Sequence, residues 1–181
     1  MLNDQARQFH RNWLNKASNI QEGTLEGVFD KFQTLYVIYC NLFSNVPIVL
    51  IEKGHALPKR ISDNKLATKY VVNVMSEEHL ERLVDRHSQE LTELAELIRS
   101  ESFYINLYYG ARQRNEDLLL LDQILSPDVK KKVLGLLSII YNVRCNIVHG
   151  HKVFVQYQIV LLIPIIRILE TSIEFLYEDL R

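Results

Sequence analysis

From residue 127 to residue 148 the apolar side chains Val133, Leu136, Leu137, Ile140 and Ile147 recur at three- and four-residue steps. That spacing marks one buried face of an α-helix. The same period runs through Leu2, Ala6, Phe9 and Trp13, and through Val28, Phe29, Phe32, Leu35, Tyr36, Tyr39, Cys40 and Phe43. Strict two-residue alternation is nowhere sustained. Six glycines and four prolines in 181 residues leave few breaks, and 48% hydrophobic residues suffice for a core. The fold class expected is therefore all-α: a bundle of five to seven helices.

Helices are predicted over residues 3–17, 25–44, 64–75, 76–99, 117–125, 127–148 and 153–180. Asn45-Val46-Pro47 is read as the stop of the second. Residues 46–62 are expected to be irregular, with a short strand at Ile48-Val49-Leu50-Ile51 as the one alternative. Asp63 and Ser76 are suited to cap the helices after them. Residues 103–109 are rich in β-formers but isolated, and read as an extended connector or a frayed turn. Ser126-Pro127-Asp128 looks like a helix start with proline at the first position. Pro164 lies inside the last helix and is expected to kink it. A link of about four residues between the last two helices would make them antiparallel neighbours. The length favours a single domain over 1–181, with residues 1–24 a helix and turn that either joins it or hangs from it.

A net charge of −1 does not hold a protein on nucleic acid by bulk electrostatics, so any phosphate contact must come from a local site. Cys40 and Cys145 lie far apart and make no disulfide framework, which fits a reducing cytoplasm. No basic-then-apolar leader is evident. The longest apolar run, 159–166, is interrupted by Pro164 and stopped by Arg167, short of the roughly 17–25 residues a membrane span needs. No membrane association is expected.

Arg144 falls four residues after Ile140 and seven after Leu137, on the apolar face. Its guanidinium cannot shed its charge and needs an acceptor there: a carboxylate, carbonyls or a ligand phosphate. His149 comes next, then Gly150, suited to ending a helix. On an unbroken helix the five-residue step separates Arg144 and His149 by about 140°. They converge only if the helix ends nearby or a second copy completes the site. Otherwise Arg144 is a structural cation and His149 a cap on terminal carbonyls. Cys145, His149 and His151 have ligand chemistry but not zinc spacing, so no metal and no cofactor are expected. Cys145 reads as a small core residue rather than a nucleophile. Lys130-Lys131-Lys132 reads as a solvated face. Arg112 and Arg114 sit in a polar turn. Tyr104, Tyr108 and Tyr109 either pack or stack on bases. His79 and His87 are assigned no role.

Arg144, four intervening residues and His149, between two long helices, resemble the R-x4-6-H motif of the HEPN superfamily (higher eukaryotes and prokaryotes nucleotide-binding). The flanks Tyr141, Asn142, Asn146, Gly150, His151 and Lys152 are similar to the motif segment of stand-alone bacterial HEPN ribonuclease-like proteins. So is an early helix over 32–44 with Tyr36 and Asn41. The resemblance covers 127–152 most closely, extends over 25–180 and says nothing of 1–24. It implies a metal-independent endoribonuclease acting as a homodimer on RNA, in toxin, stress or antiviral defence, with an antitoxin or defence-complex partner. His149 would be the general acid/base, Arg144 the phosphate clamp and Asn146 a further polar contact. His151, Lys152, Cys145 and Tyr141 would touch RNA. The chain departs from the pattern in two places. Cys145 stands where active members often carry Asn, Asp or His, and His151 stands where nucleotidyltransferase-silenced toxins carry Tyr. The alternative implied is a catalytically silent HEPN module for dimerisation, RNA or nucleotide binding, or assembly.

Overall fold

The computed structural model describes residues 1–148 and 158–181. Eight helices and one small hairpin are formed among them. Helix α1 (Asp4–Ser18) is capped by Asn3, whose side chain accepts from the Ala6 amide. It lies on α2 through Leu2, Ala6 and Ala17, all buried. The Leu2 amide also donates to the Leu180 carbonyl, which ties this first segment to the last helix.

Helix α2 (Leu25–Glu52) is the centre of the bundle. Thr24 caps it, and it does not stop at Pro47. The proline deletes one ladder bond, to the Phe43 carbonyl. Beyond it Val46, Val49 and Leu50 continue the buried stripe of Leu42 and Phe43. Burying those side chains, at about 1.5–3 kcal/mol each, outweighs one lost bond. The expected irregular stretch over 46–62 is thus helical to Glu52, and Ile48-Val49-Leu50-Ile51 is no strand. The added turns also lengthen the apolar stretch. Among the described residues α2 alone is long and apolar enough to cross a membrane, with mean hydropathy 1.7 over 18 residues, 56% of that window being buried.

Asp63–Lys65, a π segment Leu66–Tyr70 and Val71–Val74 run on as one helix, α3. Ser62, not Asp63, caps it. The Tyr39 hydroxyl of α2 donates to the Ala67 carbonyl inside the π segment. The single helix expected over 76–99 is two: α4 (Glu77–Arg86), capped by Ser76, and α5 (Ser88–Arg99). The break is His87, buried, with Nε2 2.8 Å from the Thr171 hydroxyl. The apolar stripe crosses this break without a gap, so hydropathy alone could not reveal it. Residues 103–108 are extended and Tyr109 begins the turn of a hairpin, β1 (Leu107–Tyr108) antiparallel to β2 (Ala111–Arg112), with Leu107 opposite Arg112.

Helix α6 (Arg114–Ile124) precedes α7 (Val129–Val148). Asp128 starts α7, its carboxylate accepting from the Lys131 amide, so Pro127 precedes the cap rather than opening the helix. Gly135 lets α6 and α7 approach, since a Cβ there would fall 2.7 Å from Gln123 Cβ and 3.0 Å from Ile124 Cγ2. The last helix, α8 (Ile159–Leu180), passes through Pro164 and packs chiefly on α2. It meets α7 where Leu161 and Leu162 face Val143 and Ile147 around a small apolar cavity. The connection between α7 and α8 lies outside the described residues. Lys31 of α2 is buried with its ammonium 3.0 Å from Glu170 and 3.5 Å from Glu22, a charge pairing that periodicity does not announce.

This packing sets two expected outcomes. Gly135→Ala should cost about 1–3 kcal/mol through overpacking against α6, read as a lower urea midpoint. His10, stacked on Tyr177 at 3.9 Å, and His87 are both held by burial below the ordinary histidine value of 6.5. The unfolded chain therefore binds protons more readily near that value. Stability is full above it and declines as pH falls through it, because protons then favour the unfolded state. Urea unfolding at pH 7.5 and pH 5 should show this decline, and His10→Phe should flatten it.

Candidate functional site

The C-terminal half of α7 has three faces, set by the turn of about 100° per residue. Val143 and Ile147 point into the core beside Phe29, Phe103 and Leu161. Asn142 and Asn146 hold the extended segment: Asn146 Nδ2 donates to the Ile105 carbonyl at 2.6 Å, and Asn142 Nδ2 donates to Asn106 Oδ1 at 2.8 Å. Asp117 of α6 completes this joint. Its carboxylate is 0% exposed and accepts from the Ile105 amide, the Asn106 amide and Asn106 Nδ2.

Tyr141, Arg144 and Cys145 occupy the third face. The Arg144 guanidinium lies over the ring of Tyr36 on α2, 5.4 Å from its centroid. Tyr36 is buried, and Arg144, Tyr141 and Cys145 are half-buried. Cys40, one turn beyond Tyr36, belongs to the same group, as does the exposed Asp63 at the start of α3. Among the described residues Arg144 has neither an ion pair nor a hydrogen bond. A cation over a ring is worth about 0.5–2 kcal/mol, less than a full set of donors can gain from an anion.

Tyr36, Cys40 and Tyr141, around Arg144, stay neutral. Burial pushes the Cys40 thiol up to about 11, with Arg144 opposing. Burial and the Cys145 thiol push the Tyr141 phenol up to about 12. Burial also raises the Tyr36 phenol, with Cys40 adding and Arg144 opposing. Arg144 is the one cation among the described residues of this cluster, and the exposed carboxylate of Asp63 stands at its rim. A fixed cation with unused donors, walled by two phenols and the Cys40 thiol, is suited to receive an anion.

The structure thus groups three of the site residues expected from the sequence, Tyr141, Arg144 and Cys145, with Tyr36 and Cys40 of α2. The pairing of Tyr36 with Cys40 repeats the four-residue step of Tyr141 with Cys145, a signal visible in the sequence. Asn146 lies apart from this group: it is buried, some 200° round the helix from Arg144, and its amide donates to the Ile105 carbonyl. His149, His151 and Lys152 lie outside the described residues. Among the described residues no three His, Cys, Asp or Glu side chains are grouped for a metal. Lys130 and Lys131 form surface ion pairs with Glu77 and Asp122, at 2.8 and 2.7 Å.

Comparison of the chain with family models, with curated proteins and with solved structures finds no match.

Asp117→Ala strands three donors and is expected to cost about 3 kcal/mol or more, at roughly 1–3 kcal/mol per unmet buried group. Asn146→Ala removes one bond and should cost about 1–2 kcal/mol. Urea unfolding measures both, and the order of the two losses checks that this face is structural.

Proposed function

We propose that the chain is a HEPN-like, metal-independent endoribonuclease of the cytoplasm, working as a homodimer in toxin, stress or antiviral defence. The observation that carries this reading is Arg144: half-buried, without an acid partner among the described residues, and five residues before His149 on the same run of chain. In this reading Arg144 holds the scissile phosphate and stabilises charge as it builds on the non-bridging oxygens. RNA brings its own nucleophile, the 2′-hydroxyl. His149 removes that proton or protonates the departing 5′-oxygen, a task suited to a group titrating near neutrality. A second His149, from the partner copy, would serve the other role. The products are a 2′,3′-cyclic phosphate and a 5′-hydroxyl. Tyr141 and Cys145 line the phosphate's approach, while His151 and Lys152, just after His149, are further RNA contacts. Asn146 has no part in it.

One observation favours a second reading, a silent module that binds RNA or a nucleotide without cutting it. Cys145 stands after Arg144 where a polar residue is usual in the motif, and Asn146 is turned to Ile105 instead of taking its place.

Labelled RNA incubated with the protein in EDTA tests both. Cleavage should persist in the chelator. His149→Ala should slow it by about 100-fold or more, the scale of general acid–base catalysis. Arg144→Ala should do likewise at an unfolding midpoint close to that of the parent. Cleavage that requires metal, or is indifferent to His149→Ala, removes the nuclease reading. Phosphate-dependent binding lost in Arg144→Ala, with no product from the parent protein, selects the silent module.

A further inference from the structure

The hairpin between β1 and β2 turns on Tyr109 and Gly110, both in the left-handed region at φ 48° and φ 80°. Two-residue hairpins of this kind favour Asn-Gly, because only Gly, and to a lesser degree Asn or Asp, adopts positive φ readily. Tyrosine at the first position is disfavoured, and its ring gains nothing by burial, since Tyr109 is 86% exposed. Tyr108 is 66% exposed, and the two rings meet edge to face at 4.6 Å. Folding therefore places two aromatic rings in water at a conformational cost.

The mounting beneath them is rigid. The Gln113 amide donates to the Asn106 carbonyl. Asn106 is held in turn by Asp117 and by Asn142 of α7. Arg112 lies over the Tyr104 ring at 4.0 Å and donates to its hydroxyl. Glu101 accepts from the Tyr104 hydroxyl and pairs with Arg114 at 3.4 Å, while Arg112 has no ion pair among the described residues. The hairpin's chemistry is two exposed rings beside one arginine, Arg112, that no acid answers among the described residues.

We propose that the Tyr108–Tyr109 tip is a stacking platform for unpaired bases of single-stranded RNA. The proposal rests on the ribonuclease reading for its ligand. Aromatic rings beside arginine suit bases of any identity, because every base has a π-face and the backbone between bases is anionic. The hairpin and Arg144 are attached to different faces of α7. The platform would grip flanking nucleotides while the phosphate sits at Arg144.

Fluorescence anisotropy with a labelled oligouridylate in EDTA tests this, on the His149→Ala protein so that the RNA stays whole. Tyr109→Asn creates the favoured Asn-Gly turn, so the unfolding temperature should rise while RNA binding weakens about tenfold. Tyr108→Phe with Tyr109→Phe should bind as the parent does, because stacking uses the ring and not the hydroxyl. An abasic oligonucleotide should bind no better to the parent than to Tyr108→Ala with Tyr109→Ala. Unchanged binding in Tyr109→Asn overturns the proposal. So does an equal loss of affinity for the abasic strand, an absence of RNA binding by the parent, or a fall from dimer to monomer in the double alanine variant, which would make the tip a contact between copies. Cleavage by the unsubstituted protein scores the nuclease reading separately, and either result can stand without the other.

Discussion

The bundle depends on the seam between α2 and α8. Phe32, Leu35, Tyr39 and Leu42 on one side, and Leu161, Ile165, Leu169 and Leu176 on the other, are shut away from water. Ten or so such side chains supply burial energy on the scale of the whole net stability of a domain. Helices α1, α3 and α5 are placed on this pair, whereas α6 and the extended segment are placed on α7. Helix α1 covers α2, α4 and α5 take the flanks of α8, and α7 approaches α2 through its C-terminal half. The proline in each of the two helices is tolerated for the same reason. One missing ladder bond is small beside a stripe of large side chains held in close packing.

Helix α7 divides its labour by angle. Its apolar face seats it on the core, its two asparagines fix the extended segment, and the remaining face holds Arg144 over Tyr36. The asparagine face is fully satisfied, with Asp117 answering three donors. The arginine face is not: its charge sits over a ring, among phenol and thiol groups that burial keeps neutral, with the exposed Asp63 only at the rim. A helix built for packing alone would have little use for that asymmetry.

The all-α class was legible because the three- to four-residue period is long and unbroken, and the cap at Ser76 was legible from residue type. What hid was decided by distant partners. Pro47 looks like a terminator until Val46, Val49 and Leu50 are seen to share the buried core. His87 divides a continuous stripe because its ring reaches Thr171, 84 residues away. Arg144 was recognisable as a cation on a greasy face, but its companion Tyr36 stands on another helix. Asn146 shows the reverse: the angle that turns it from Arg144 comes from helix geometry, while Ile105, which receives it, does not.

The π segment at Leu66–Tyr70 governs how this helix tolerates change in length. A π turn holds more residues than an α turn, so it absorbs an extra residue without moving the helix beyond it. Here it leaves Val71, Val72 and Val74 facing inward while Ala67 presents its carbonyl to Tyr39. Deleting one residue from the segment would permit an ordinary ladder and free that carbonyl's neighbours to pair among themselves. The Tyr39 hydroxyl, fully enclosed, would then lose its acceptor, so the irregular turn is the anchor of a buried phenol and not a flaw in the helix.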